Sequence, residues 1–163
     1  MKLLVYLDSQ RLDLIGDNGE KLTSYPVSTG ANGAGERRGS YQTPRGRHKI
    51  RAKIGAGAPE GMVFVARRPT GEICTPEAYA ANRQRDWILT RILWLSGLEP
   101  GKNRLGEVDT FRRYVYIHGT PDAVELGKPG SRGCIRMRNS DLIELFERVP
   151  VGTEVEIVEY EAA

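Results

Sequence analysis

Apolar and polar residues alternate through the first 27 positions of the chain, the period-two pattern of strands with one buried face. Lys2 to Asp8, Arg11 to Ile15 and Lys21 to Val27 carry it, and Asp17-Asn18-Gly19 supplies the Asn-Gly pair of a hairpin turn between the last two. The alternation then stops. Gly30, Gly33, Gly35, Gly39 and Gly46 punctuate Ser28 to Arg47, a stretch that reads as a long functional loop. His48 to Ile54 and Met62 to Ala66 predict further strands. Trp87 to Leu95 and Tyr114 to His118 are rich in β-branched and aromatic residues, which places them at the centre of the sheet. Thr153 to Tyr160 sets Val155 and Ile157 between glutamates and predicts a closing strand.

Helical signals occur in two places. Thr75-Pro76-Glu77 has an N-cap residue followed by proline at the first helical position, predicting a short helix through Arg85. Ser140 can cap a second helix whose Leu142, Leu145, Phe146 and Val149 line one face, with Pro150 as its stop. Neither an internal repeat nor a linker interrupts the chain. The expectation is one domain over residues 1–163, mainly β and mostly antiparallel, built as a β-sandwich or partly closed barrel with one or two short helices.

Composition narrows the function classes. With 39% hydrophobic, 28% charged and 7% aromatic residues, the 163-residue chain has the make-up of a globular domain rather than a disordered segment. Its apolar runs, such as Leu3 to Leu7, fall far short of the roughly 20 residues of a membrane-spanning helix. The same short run, closed by Asp8, lacks the h-region and cleavage site of a secretory leader. The expected location is therefore the cytoplasm, with the periplasm as the alternative if a leader has been trimmed away. The net charge of +3 is mild, but the arginines are bunched at Arg37, Arg38, Arg45, Arg47, Arg51, Arg112, Arg113, Arg132, Arg136 and Arg138, a distribution suited to anionic partners. The basic clusters leave a noncatalytic module for glycan strands or nucleic acid as a distant alternative, but basic residues interleaved with stacking aromatics are missing, which argues against nucleic acid. Cys74 and Cys134 lie 60 positions apart with no metal-ligand spacing around them, so neither a metal nor a cofactor is expected.

The candidate chemistry lies in Ile117-His118-Gly119-Thr120 and Ser131-Arg132-Gly133-Cys134-Ile135-Arg136-Met137. A thiol becomes a useful nucleophile when a base or a positive charge raises its thiolate fraction. His118, at the end of a predicted buried strand, can be that base, and Gly119 lets backbone approach it closely. Gly133 precedes the thiol with no side chain in the way, so successive backbone amides there can face a developing oxyanion. Ser131, Arg132 and Arg136 surround the sulfur with groups that favour the thiolate and can grip a substrate carboxylate. Cys74 has no such neighbours and reads as a packing residue.

These segments resemble the L,D-transpeptidase (YkuD-type) catalytic domain of bacterial cell-wall enzymes. That family has a histidine followed by glycine or serine, then 14 to 17 residues, then Ser/Thr-x-Gly-Cys-hydrophobic-Arg/Asn. Pro26-Val27-Ser28-Thr29-Gly30, Thr43-Pro44-Arg45-Gly46 and Val151-Gly152-Thr153-Glu154-Val155 resemble further parts of it. The resemblance implies a β-rich domain acting on a peptidoglycan stem peptide or muropeptide, at the bond between an L-centre and a terminal D-residue. It also implies Cys134 as nucleophile, His118 as base and then acid, and Gly119 as the source of an orienting carbonyl. The amides of Gly133 and Cys134 would form the oxyanion hole, with Arg136, Arg132, Ser131 and Thr120 around the substrate. One departure is Arg132, where the family often has histidine. Water as acceptor gives an L,D-carboxypeptidase of muropeptide recycling, the version that suits a cytoplasmic enzyme. An amine acceptor gives a cross-linking transpeptidase.

Overall fold

The computed structural model describes residues 1–161. Its elements in chain order are β1 (Lys2–Tyr6), β2 (Arg11–Ile15), β3 (Lys21–Ser28), β4 (Gly46–Ile54), β5 (Met62–Val65), β6 (Arg68–Ile73), α1 (Pro76–Ala81), β7 (Leu89–Gly97), β8 (Tyr116–Gly119), β9 (Ile135–Met137), α2 (Asn139–Arg148) and β10 (Glu154–Val158). Around the sheet the order is β4-β10-β1-β2-β3-β9-β8-β7, and β7 pairs back onto β4 from His48↔Gly97 to Ile54↔Ile92. The result is a closed eight-stranded barrel, which leaves none of those eight strands with a free edge. Most pairings are antiparallel; β1 with β10 and β8 with β9 are parallel. The expected mainly β architecture is thus present in its closed-barrel form.

The period-two pattern is what fills the barrel. Leu3 and Val5, Leu12 and Leu14, Leu93 and Leu95, and Val155 and Ile157 point inward and are at most 1% exposed. Leu142, Leu145 and Phe146 of α2 join the same core. At the far end of α2, Lys53 Nζ donates to the Phe146 and Val149 carbonyls at 2.6 and 2.8 Å, satisfying acceptors that a helix C-terminus leaves open. The Asp17-Asn18-Gly19 turn joins β2 and β3 as expected, closed by the Gly16 amide on the Glu20 carbonyl, with Gly19 at φ +84.

Several predicted boundaries move. The first helix ends at Ala81 rather than Arg85, because Trp87 Nε1 donates to the Asn82 carbonyl and turns the chain back toward the barrel. The second begins at Asn139, with Arg138 rather than Ser140 at the N-cap position and no side-chain cap bond, and the Asn139 side chain accepts from Thr90 and donates to the Thr120 carbonyl. Two strands escape the sequence pattern. β6 is exposed along its whole length and has no apolar alternation to reveal it. β9 is three residues long and exists because β3 and β8 hold it from both sides. The β5–β6 hairpin attaches to the barrel through the pairing of Val63 with Leu89.

His48 on β4 is fully buried. Its Nδ1–H donates to the Gly46 carbonyl at 3.0 Å, and its Nε2 accepts from the Thr110 hydroxyl at 2.9 Å. Burial lowers its pKa from 6.5 to about 4. The unfolded chain therefore binds more protons than the native one between those values, so this residue makes stability fall as pH drops from 6.5 toward 4. Its full contribution is about 3 kcal/mol. Urea unfolding at pH 7, 5.5 and 4 is expected to show a smaller pH-dependent loss in His48→Asn than in the wild type, by about that amount.

Candidate active site

The parallel pair β8–β9 builds the site. Ile117 faces Ile135, His118 faces Arg136 and Gly119 faces Met137. In a pleated sheet, neighbours in register share a face and successive residues alternate. Ile117 and Ile135 enter the barrel core, while Tyr116 and Cys134 pack outside it beside Ile92 and Phe64. His118 and Arg136 follow Tyr116 and Cys134 by two positions and share their outer face. His118 and Cys134 are diagonal neighbours across one strand gap, about 8 Å apart at Cα from strand spacing and rise. Parts 16 positions apart in the chain thus lie on one sheet face.

His118 is 1% exposed, and its Nδ1–H donates to the Gly119 carbonyl at 2.7 Å. A carbonyl can only accept, so the proton sits on Nδ1 and the Nε2 lone pair is left to act as a base. Glycine is required at 119 because a Cβ there would lie 2.7 Å from the Leu89 carbonyl oxygen. Burial lowers the His118 pKa; Asp86 and the Gly119 carbonyl oppose this, and Arg136 adds to it.

Cys134 is half-buried and lines a cavity of about 460 Å³. Its sulfur accepts from the Tyr116 amide at 3.3 Å and donates to the Tyr114 carbonyl at 3.5 Å. At rest the thiol is therefore held by backbone rather than by the imidazole. Burial pushes its pKa up to about 12; the Tyr116 amide, Arg136 and Arg113 pull it down, and Asp86 pushes it further up. Around neutral pH both groups are uncharged, a thiol and an imidazole on one sheet face.

The loop carrying the thiol is braced from two directions. Ser131 Oγ accepts from the Gly133 amide at 3.1 Å and donates to the Cys134 carbonyl at 2.5 Å. Thr43 Oγ1 donates to the Gly133 carbonyl at 2.9 Å and accepts from the Gly30 amide at 2.8 Å, tying the glycine-rich loop to the thiol loop. Gly133 has φ +117, and a Cβ there would meet the Gln42 carbonyl at 2.9 Å, so only glycine fits. Of the two amides expected at an oxyanion, the Gly133 N–H is engaged by Ser131. Arg113 bonds the carbonyls of Gly35 and Gln42, holding the same glycine-rich loop.

Arg132 is exposed and donates to the Gln84 carbonyl at 3.0 Å. Arg136 and Thr120 border a second cavity of about 220 Å³, and Asp86 and Arg132 border both cavities. Thr120 is buried, its carbonyl held by Asn139 Nδ2 at 3.0 Å. Two further segments border the larger cavity. Tyr41 belongs to the glycine-rich loop, and Phe64, Arg67 and Asp86 belong to the insertion between β4 and β7. Cys74 is a free thiol packed by Val63, Trp87 and Leu89, away from this group.

Asp86, Tyr114, Thr43 and Arg113 were not legible as site residues in the sequence. Asp86 falls at the end of an apparent helix, 48 positions before the thiol, and the closed barrel alone brings it there.

The sequence profile of the L,D-transpeptidase catalytic domain, YkuD, matches residues 1–157. The chain belongs to the L,D-transpeptidase catalytic domain family. The Bacillus subtilis protein YkuD is 50% identical over 95 residues, covering 58% of this chain and 47% of its own. A protein from the ATP synthase subunits region of Fuscovulum blasticum is 32% identical over 101 residues, covering 60% and 49%. The chain thus spans about half the length of these relatives. Among solved structures, Bd1075 of Bdellovibrio bacteriovorus superposes with TM-score 0.59 at 18% identity, over 98% of this chain and 47% of that one. L,D-transpeptidase 3 from Mycobacterium tuberculosis gives 0.57 at 17%, over 96% and 60%. At those identities the two structures establish the L,D-transpeptidase fold.

The thiol's surroundings set its reactivity. In a Cys74→Ser background, iodoacetamide should modify one thiol at a rate rising about tenfold per pH unit from pH 7 to 9, without the levelling near 8.5 of an ordinary cysteine. Timed mass spectrometry of the alkylated protein measures it, and a plateau at or below pH 8.5 would contradict the burial described.

Proposed function

We propose that the chain is a cysteine-dependent acyl transferase of peptidoglycan stem peptides, cleaving between the L-centre of the third residue and terminal D-alanine. Water is the acceptor in this reading, which makes it an L,D-carboxypeptidase acting on muropeptides in the cytoplasm. The observation that carries it is the free Nε2 of a buried, carbonyl-oriented imidazole on the same sheet face as a cavity-lining thiol. Membership of the L,D-transpeptidase family supplies the substrate class.

Each atom then has a course. Nε2 of His118 takes the thiol proton as Sγ bonds to the third residue's carbonyl carbon. The carbonyl oxygen gains the negative charge, and the Cys134 amide beside it is the donor proposed to receive that charge. The Gly133 amide joins when it exchanges its 3.1 Å contact with Ser131 for the oxyanion. Collapse of the intermediate breaks the C–N bond, and the Nε2 proton passes to the departing D-alanine amine. Water, deprotonated by the same nitrogen, attacks the thioester; the C–S bond breaks and the thiol regains its proton. Arg132 and Arg136 are suited to the substrate's carboxylates, and Arg136 most of all, since its Nε is buried with no partner. Ser131 and Thr120 act on the pocket through the backbone they hold or carry.

An amine acceptor would resolve the same thioester into a cross-link, so the product decides between the two reactions. Incubation with a disaccharide tetrapeptide should give tripeptide and free D-alanine by mass spectrometry. A dimer joined between two third residues would make the enzyme a transpeptidase. Cys134→Ser is expected to release no D-alanine, and retention of release in that variant would overturn the assignment. His118→Gln should lower the rate by about 10²- to 10⁴-fold, the usual contribution of a positioned general base.

A further inference from the structure

The β5–β6 hairpin lies outside the closed barrel and turns through two residues, Ala66 and Arg67, with Val65 paired to Arg68. Both turn residues are left-handed, at φ +48 and +63. A two-residue turn of this kind ordinarily takes asparagine and glycine, because larger side chains are strained there. Such strain persists only where surrounding contacts hold it. Here the contacts come from Arg67. Its guanidinium carbon lies 4.6 Å from the ring centre of Tyr114 and 5.1 Å from that of Trp94, and its Nη1 donates to the Tyr116 hydroxyl at 3.1 Å. The turn is thereby fastened to the wall of the thiol cleft, which Arg67, Tyr114 and Tyr116 all line.

The two tyrosines that Arg67 holds are the two whose backbone holds the thiol. The Tyr116 amide donates to Cys134 Sγ, and the Tyr114 carbonyl accepts from it. Tyr114 is itself left-handed at φ +58 and about half exposed, so regular strand structure does not fix the aim of its carbonyl. Its amide donates to the Phe111 carbonyl at 3.1 Å, and Phe111 stacks on Trp94 at 4.0 Å. Tyr116 is 4% exposed, and Arg67 is the one hydrogen-bond partner of its hydroxyl among the described residues. Loss of that partner would leave a buried hydroxyl unsatisfied, which costs more than the bond itself contributes. Resting on the acyl-transfer reading above, we infer that Arg67 is a positioning residue of that reaction. From the hairpin turn it fixes Tyr114 and Tyr116, and through their backbone it fixes the resting place of the Cys134 sulfur. The role suits arginine, because a flat guanidinium can lie on a ring and donate from its edge at once, whereas a lysine ammonium is a compact point charge.

The test replaces Arg67 by alanine and by lysine, and Tyr116 by phenylalanine, in a Cys74→Ser background that leaves one thiol to follow. Each protein is measured for its rate of iodoacetamide modification at pH 8 and for kcat and KM of D-alanine release from the disaccharide tetrapeptide. Arg67→Ala should be alkylated about fivefold faster or more, since its thiol is no longer held by backbone and opens to solvent. Its kcat should fall between about tenfold and about a hundredfold with KM changed less than about twofold, the pattern of a misplaced reacting group. Arg67→Lys should rescue neither quantity. Tyr116→Phe should reproduce part of both changes, and adding Arg67→Ala to it should cost less than in the wild type, because the tie is already cut. An unchanged alkylation rate with a raised KM that Arg67→Lys restores would make the residue a grip on substrate charge and overturn the inference. Faster alkylation traced by thermal melting to an unfolded fraction would overturn it too. Should Arg67→Ala fail to fold, Tyr116→Phe decides, and unchanged alkylation and kcat in that variant overturn the inference. Alkylation needs no peptide, so faster modification of the variants of a protein that releases no D-alanine keeps the tie to the thiol and fails the acyl-transfer reading alone. Unchanged modification in variants of a protein that does release it fails the tie alone.

Discussion

The site depends on one pairing, the parallel register of β8 with β9. Parallel neighbours in register point to the same face, so this single alignment sends Ile117 and Ile135 into the barrel and leaves Tyr116, His118, Cys134 and Arg136 outside it. A slip of one residue would send Arg136 toward the core and Ile135 toward solvent. The cost of burying that guanidinium and exposing that isoleucine keeps the register, and the register keeps the thiol and the imidazole together. Packing and chemistry here are two faces of the same strands.

Around that pair, the fold spends its polar contacts on holding backbone. Ser131, Thr43 and Arg113 bind carbonyls and amides of the two loops that meet at Cys134, and Asn139 joins Thr90 on β7 to the Thr120 carbonyl after β8. These bonds fix a thiol loop of irregular backbone on a rigid barrel, the arrangement that favours a positioned reactive group. The electrostatics pull in opposite directions. Burial disfavours both the thiolate and the imidazolium, whereas Arg113 and Arg136 favour the thiolate and Asp86 favours the imidazolium. The outcome is a pair that rests neutral, its thiol in a cleft rimmed by arginines.

Local sequence signals carried a good deal of this. The alternation in β1, β2, β3, β4 and β10 announced a mainly β fold, because half-buried strands must alternate to keep one face dry. The Asn-Gly turn and the apolar stripe of α2 were equally plain. Where local signals failed, a neighbour had overridden them. β9 is too short to show a period and is a strand only between β3 and β8, while β6 has no buried face at all. α2 starts before the expected Ser140 cap, and its first residue, Asn139, bonds partners on other elements, which no local propensity can anticipate.

The same division holds at the site. The sequence by itself determined which groups are chemically capable: a thiol after a glycine, a histidine before a glycine, and arginines near both, since those identities and spacings do not depend on where the chain goes. Only the tertiary structure decided which of them meet and in what environment. Closure of the barrel brought Asp86 to the mouth of the cleft, turned Ser131 inward as a brace, and left Arg136 and Ser28 without partners. Proximity and burial are properties of distant segments packed together. They are therefore absent from any one stretch of the chain and present as soon as the strands pair.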